Sequence, residues 1–70
     1  MNPKKIIEAV CEQYGITVEE LLGTKRNEWF VRARKEAAFL MKDQLGLGPG
    51  SIGFFLKKDH SCVSYYLKKP

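Results

Sequence analysis

Helix start and stop signals recur at short intervals along this chain, and they predict short helices rather than strands. Asn2 and Pro3 are a preferred N-cap and a preferred first helical residue, and Gly15 is a preferred terminator. Thr17 is followed three residues later by a glutamate, which is the spacing of a capping box, and Gly23 ends that segment. The first two predicted helices therefore form a tight hairpin.

Apolar side chains at helical spacing indicate which helix faces turn inward. In the first helix these residues are Ile6, Ile7, Val10, Cys11 and Tyr14. The longest helix is expected from Glu28 to about Leu45. Its buried stripe is predicted to contain Phe30, Ala33 or Arg34, Ala37, Leu40, Met41 and Leu45.

The remaining segments predict a helix-turn-helix. Residues 46–50 are rich in glycine and are expected to be a loop, followed by a short helix over 51–56. Lys57 and Lys58 form the expected turn, and Asp59 is a natural N-cap for a final helix over about 60–68. Two short helices joined by a tight turn, behind a longer scaffold helix, are typical of this motif. The predicted fold is all-α, a five-helix bundle with a C-terminal helix-turn-helix.

The size of the chain argues against catalysis. A single domain over residues 1–70 has a core too small to enclose both a substrate cavity and a catalytic shell. Catalysis needs a nucleophile with a base, paired carboxylates or a metal cluster, and one histidine, two distant cysteines and scattered acids supply none of these. We therefore expect no enzyme activity, no cofactor, no metal site and no small-molecule substrate.

The two cysteines have neither metal-ligand nor C-x-x-C spacing. Cys11 is expected to be a small core residue and Cys62 a free thiol. The sequence contains no signal peptide and no apolar stretch of membrane-spanning length. A reducing cytoplasm is thus the expected compartment, with no membrane partner.

Charge is distributed unevenly along the chain. Residues 1–24 carry two lysines against four glutamates, a net charge of −2, whereas residues 25–70 carry ten basic against four acidic side chains, a net charge of +6. This pattern, with an isoelectric point near 9.2, favours an anionic partner for the C-terminal two-thirds. Ordinary solubilising charge is the alternative interpretation.

Polar side chains with different hydrogen-bonding patterns stand at the start of the last predicted helix. Asp59 only accepts, while His60 and Ser61 donate or accept, and lysines flank the segment on both sides. Such a set distinguishes base edges in the major groove while lysines hold phosphates. The plainer alternatives are an N-cap for Asp59 and solvated surface side chains for the other two.

Seven short motifs keep a particular order and spacing from about Ile7 to Lys69. They are Tyr14-Gly15-Ile16, Glu20-Leu21-Leu22-Gly23, Lys25-Arg26, Arg32-Ala33-Arg34-Lys35 with Ala37 and Leu40, Ile52-Gly53, Lys58-Asp59-His60-Ser61 with Val63, and Lys68-Lys69. Together they resemble the C-terminal DNA-binding domain of the bacterial replication initiator DnaA, one of the Trp-repressor-like helix-turn-helix folds.

The resemblance implies sequence-specific binding of double-stranded DNA at a short asymmetric DnaA-box-like site, linked to replication initiation or its regulation. Asp59, His60 and Ser61 match the base-reading positions, and Arg26 matches an arginine that enters the minor groove. Replication proteins are further implied partners, and the nucleoid is the implied location. Six basic residues are expected at phosphates: Lys25, Arg32, Arg34, Lys57, Lys58 and Lys68.

Departures from the family pattern bear on this expectation. Cys62 stands where the family usually has a hydroxyl residue, Tyr66 occupies a position that is small in the family, and Glu28 and Trp29 replace more basic residues. The sequence preference is therefore expected to differ from that of the initiator. The chain contains no G-x-x-x-x-G-K-[ST] phosphate loop, so ATP hydrolysis is not expected of it.

A second function stays open at this point, namely a protein-interaction module that keeps the fold but has lost specific DNA reading. Its aromatic contact surface would contain Trp29, Phe54, Phe55, Tyr65 and Tyr66. Likewise, Lys25 and Arg26 are alternatively plain loop charges. Arg32, Arg34 and Lys35 are alternatively a solvated helix face with the glutamates at 28 and 36 as partners.

Overall fold

The computed structural model describes residues 2–23 and 27–68, and within these ranges it contains five helices and no strand. The helices are α1 (Pro3–Tyr14), α2 (Val18–Leu22), α3 (Glu28–Leu45), α4 (Pro49–Leu56) and α5 (His60–Leu67). The all-α prediction with a C-terminal helix-turn-helix is thereby confirmed. Among the described helices, none combines the length and apolarity that a membrane crossing requires.

The N-terminal helices are capped as their sequences predict. The side chain of Asn2 accepts a hydrogen bond of 2.8 Å from the backbone N–H of Lys5, and Gly15 ends α1 in the left-handed conformation at φ 68°. Thr17 and Glu20 form both bonds of the capping box at the start of α2. These bonds join residues at most three apart, which is why local sequence sufficed to predict them.

The predicted loop over residues 46–50 is wrong at its C-terminal end, because α4 begins at Pro49. Proline at the first helical position has its φ already set for a helix and lacks only an N–H that would have no intrahelical partner. Gly48 is the N-cap of α4, and Gly46 ends α3 at φ 66°. The connection between α3 and α4 is therefore shorter than the run of glycines suggested.

The core lies between α1, α3 and the helix-turn-helix. α1 packs along α3, and α5 packs against both α3 and α4. Cys11 is buried as predicted, and burial, with Glu20 and Glu8 nearby, raises the pKa of its thiol. In α3 the buried residues are Ala33, Arg34, Ala37, Ala38 and Met41.

The indole of Trp29 completes the C-terminal end of α1. Its Nε1–H donates a 2.9 Å hydrogen bond to the carbonyl of Tyr14, and the two rings meet edge to face with centroids 4.9 Å apart. Trp29 is still 48% exposed, so it lies at the edge of the core. The carbonyl that it binds is one of the last four of α1, which have no intrahelical partner.

Candidate nucleic-acid interface

The turn between α4 and α5 depends on a close approach of backbone to Gly53. A Cβ atom at this position would lie 2.6 Å from the carbonyl oxygen of Lys58, too close for any side chain. Lys57 takes the left-handed conformation at φ 55°, and the N–H of Lys58 donates a 2.9 Å bond to the carbonyl of Gly53. The side chain of Val63 packs against the same glycine, which fixes how α5 crosses α4.

The first turn of α5 is open to solvent. Asp59, His60, Ser61 and Cys62 are all exposed, and Val63 is the first buried residue of the helix. Asp59 occupies the N-cap position as predicted, but its side chain makes no capping hydrogen bond. Neither carboxylate oxygen is used in a hydrogen bond to the other described residues, so both can accept from an external donor. This exposure is what a base-reading role requires.

The orientation of α5 is set further along the helix. Tyr66 is buried with 6% of its surface exposed, whereas Tyr65 is 60% exposed. The Lys35 ammonium lies 5.1 Å from the centre of the Tyr65 ring and so ties α3 to α5 through a cation–π contact. The ring of Tyr66 thus affects the packing of α5 rather than its exposed face.

Three of the expected phosphate-binding residues are exposed cations, namely Arg32, Lys57 and Lys68. The Nη2 atom of Arg32 lies 3.5 Å from Oε1 of Glu28 in an i,i+4 pair whose two side chains are more than half exposed. Exposed pairs of this kind contribute about 0–1 kcal/mol. Arg32 can therefore exchange Glu28 for a phosphate oxygen at small cost.

The expectation that Arg34 contacts phosphate is wrong. Arg34 is only 2% exposed, and its guanidinium points into the protein, where it binds the C-terminal end of α2. Its Nε donates to the carbonyl of Leu21 at 2.6 Å, and its Nη2 donates to those of Gly23 at 2.9 Å and Glu20 at 3.4 Å. The charge satisfies carbonyl groups at the negative end of a helix dipole, out of reach of a phosphate.

Lys58 was also expected at a phosphate, and the structure gives its ammonium a different partner. Nζ donates to the carbonyls of Leu22 at 3.1 Å and Gly23 at 2.7 Å, and the side chain is partly buried. Burial lowers the pKa of Lys58, and the nearby Arg34 lowers it further, while Cys62 opposes the shift. Lys58 is thus bonded within the protein and is not a free surface cation.

Arg34 and Lys58 together form an α2 clamp, two cations that bind the last carbonyls of a five-residue helix. Sequence reasoning missed this role because both residues fit the basic pattern of a DNA-binding surface. One signal was present: α2 has no basic residue in its own last turn. Its last carbonyls were therefore open to donors from water or from elsewhere in the chain, and the sequence alone does not say which.

Two of the predicted DNA contacts, Lys25 and Arg26, lie outside the described residues. Of the five aromatic residues considered for a protein-binding surface, Tyr66 is buried and Trp29 is bonded to the end of α1. The most exposed one is Phe54, with 78% of its surface accessible. The described residues contain no group of three or more side chains suited to hold a metal ion.

Comparison with known proteins gives consistent matches over nearly the whole chain. The family model described as the bacterial DnaA protein helix-turn-helix matches residues 3–69. The chain is 38% identical over 68 residues to chromosomal replication initiator protein DnaA 2 of Protochlamydia amoebophila, covering 97% of this chain and 15% of that protein. It is 40% identical over 65 residues to the DnaA proteins of Synechococcus sp. and Pelobacter propionicus, covering 91% of this chain and 14% of each relative.

The chain thus spans about 15% of the length of the curated relatives it matches. No solved structure gives a significant match.

Proposed function

Because this chain belongs to the bacterial DnaA helix-turn-helix family, we propose that it binds double-stranded DNA at a DnaA-box-like site. This binding serves replication initiation or its regulation. The observation that carries the proposal is the exposed first turn of α5, where Asp59, His60 and Ser61 follow a tight helix-turn-helix turn. The chain contributes DNA recognition and not ATP hydrolysis, since its sequence has no phosphate loop.

In this proposal the first turn of α5 enters the major groove and reads base edges. Both carboxylate oxygens of Asp59 accept, which suits the N4 amino group of cytosine. His60 and Ser61 each donate or accept, so they suit N7 and O6 of guanine or O4 of thymine. Cys62 is exposed beside them and offers a weaker hydrogen bond than a hydroxyl, which fits an altered sequence preference.

The phosphate contacts come from cations outside the α2 clamp. Arg32, Lys57 and Lys68 are exposed, and Lys25 is assigned by family resemblance alone. Arg26 is proposed to enter the minor groove, whose enhanced negative potential attracts a guanidinium. Contacts to phosphate hold the domain in register without reading sequence.

The proposal is tested by replacing one base-reading and one phosphate-binding residue. We expect His60→Ala to lower affinity for a duplex carrying a DnaA box by about 1 to 3 kcal/mol while leaving affinity for a scrambled duplex nearly unchanged. The matched variant Lys25→Ala should weaken binding to both duplexes alike. Fluorescence anisotropy of labelled duplexes at two salt concentrations measures both effects.

Wild-type protein that binds the two duplexes with equal affinity would contradict specific recognition. So would equal losses from His60→Ala on both duplexes, because they would mean that α5 does not read bases. Either result would leave non-specific DNA binding, whereas weak binding to both duplexes would favour protein binding as the function, with Phe54 and Tyr65 as its most exposed aromatic contacts.

A further inference from the structure

We propose that Lys58 is a positioning residue for DNA recognition: by bonding the C-terminal end of α2, its ammonium fixes where the base-reading turn of α5 begins. The proposal rests on the function proposed above. It assigns to Lys58 a role that differs from the phosphate contact expected of a lysine beside a recognition helix.

The geometry separates Lys58 from its neighbour Lys57. The side chain of Lys57 is exposed, while Nζ of Lys58 lies 2.7 Å from the carbonyl of Gly23 and 3.1 Å from that of Leu22. These partners precede Lys58 by 35 and 36 residues, so the bonds tie the helix-turn-helix to a distant helix. The two consecutive lysines of this turn therefore have different roles: Lys57 faces solvent, and Lys58 binds the end of α2.

One partner of Lys58, the carbonyl of Gly23, is itself held in place. The carbonyl of Gly23 also accepts from Nη2 of Arg34 at 2.9 Å, and Arg34 is anchored in α3. Bonds from charged donors to carbonyls are stronger than bonds between neutral groups. The ammonium of Lys58 is therefore attached to a rigid point of the scaffold.

The attachment acts on the base-reading turn because Lys58 directly precedes Asp59. The backbone of Lys58 is fixed by its N–H bond to Gly53 and by the contact of its carbonyl with that glycine. With both its backbone and its side chain held, Lys58 has little freedom, and the residue that follows begins α5 at a defined place. Loss of the side-chain bonds would let Asp59, His60 and Ser61 move relative to the scaffold.

A positioning residue and a phosphate ligand have different signatures in DNA binding. Loss of a phosphate ligand weakens binding to all sequences and reduces the slope of log K against log salt by about 0.9. Loss of a positioning residue lowers the preference for the correct site. It leaves the salt slope unchanged, because the number of counterions released on binding stays the same. Precise placement matters for hydrogen bonds to base edges, since these weaken steeply with distance and angle.

The experiment compares Lys58→Met with the matched variant Lys57→Met, which removes an equal charge from the adjacent residue. We expect Lys58→Met to reduce the ratio of affinities for a DnaA-box duplex and a scrambled duplex about tenfold with an unchanged salt slope. We expect Lys57→Met to keep this ratio and to reduce the slope by about 0.9. Lys58→Arg keeps the positive charge and supplies N–H donors for the same carbonyls, so it should retain most of the ratio.

Hydrogen exchange measured without DNA tests the positioning role of Lys58 independently of the proposed function. The N–H of Val63 donates to the carbonyl of Asp59 at 3.1 Å, which is the first helical bond of α5. Its hydrogen exchange should become about tenfold faster in Lys58→Met and stay unchanged in Lys57→Met, at a temperature where both variants are folded by circular dichroism.

Equal losses on both duplexes with a reduced slope in Lys58→Met would overturn the proposal in favour of a phosphate contact. Unchanged exchange at Val63 would overturn it whether or not the wild-type protein prefers the box. Wild-type protein without such a preference, but with the expected change in exchange, would refute the proposed function alone.

Discussion

Gly53 is the residue on which the helix-turn-helix depends most directly. The carbonyl of Lys58 and the side chain of Val63 both lie against the place where a Cβ atom would stand. The backbone of Gly53 is helical, a conformation that any residue can adopt. Glycine is therefore required here only because there is no room for a Cβ atom. Sequence analysis placed Gly53 within a short helix, and the structure identifies the backbone atom that excludes a side chain there.

The first prediction concerns this position. Gly53→Ala should destabilise the domain by about 2 kcal/mol, because α5 must shift to relieve a contact with backbone. The matched change Gly50→Ala lies in the first turn of the same helix, with no atom within 4 Å of the added methyl group. It should stabilise the domain by about 0.5 kcal/mol. Urea unfolding measures both, and equal effects would show that the crossing of α5 is not limited by this contact.

At the scale of elements, α2 is the helix that depends most on the rest of the molecule. It has five residues, and isolated helices far longer than this are only marginally stable in water. The capping box satisfies its N-terminal end locally, but its C-terminal carbonyls are bonded by Arg34 and Lys58 from other parts of the chain. The α2 clamp thus supplies hydrogen-bond donors for the C-terminal carbonyls of α2, which have no partner within the helix.

The second prediction follows from the buried guanidinium. Arg34→Met should destabilise the domain by about 3 kcal/mol, because the carbonyls of Glu20, Leu21 and Gly23 lose charge-assisted bonds. Arg32→Met removes the same charge from an exposed side chain two residues earlier in α3, and it should change stability by less than about 0.5 kcal/mol. Comparable unfolding midpoints for the two variants would contradict the structural role of Arg34.

On the scale of the whole molecule, charge is the property that governs encounter with DNA. The net charge of +6 over residues 25–70 includes Arg34 and Lys58, whose charges are bonded inside the protein. The cations proposed to meet DNA directly are therefore five: Lys25, Arg26, Arg32, Lys57 and Lys68.

The third prediction concerns salt. Four neutralised phosphates, at Lys25, Arg32, Lys57 and Lys68, give a slope of log K against log salt of about −3.6, so a fourfold rise in salt should lower affinity roughly 150-fold. Arg32→Met should reduce the slope by about 0.9, whereas Lys4→Met, on the exposed surface of α1, should leave it unchanged. Titrations over a range of sodium chloride concentrations measure the slope, and a value near zero would rule out binding through phosphates.

The sequence by itself determined the five helices, the caps of α1 and α2, and the position of the candidate base-reading turn. These features depend on residues a few positions apart, such as the capping box of Thr17 and Glu20, so their physical cause is present in the local sequence. The start of α4 at Pro49 was not predicted although its signal is local, because glycines at 46, 48 and 50 fit a loop as well as proline fits a helix start.

Only the tertiary structure decided which cations face solvent and which are bonded within the protein. Arg34 and Lys58 bind carbonyls that lie between 11 and 36 residues away along the chain. In sequence they resemble Arg32 and Lys57, their exposed counterparts. The physical reason is that a helix end can be completed by any donor the fold brings to it, and helical spacing alone does not specify which donor that is.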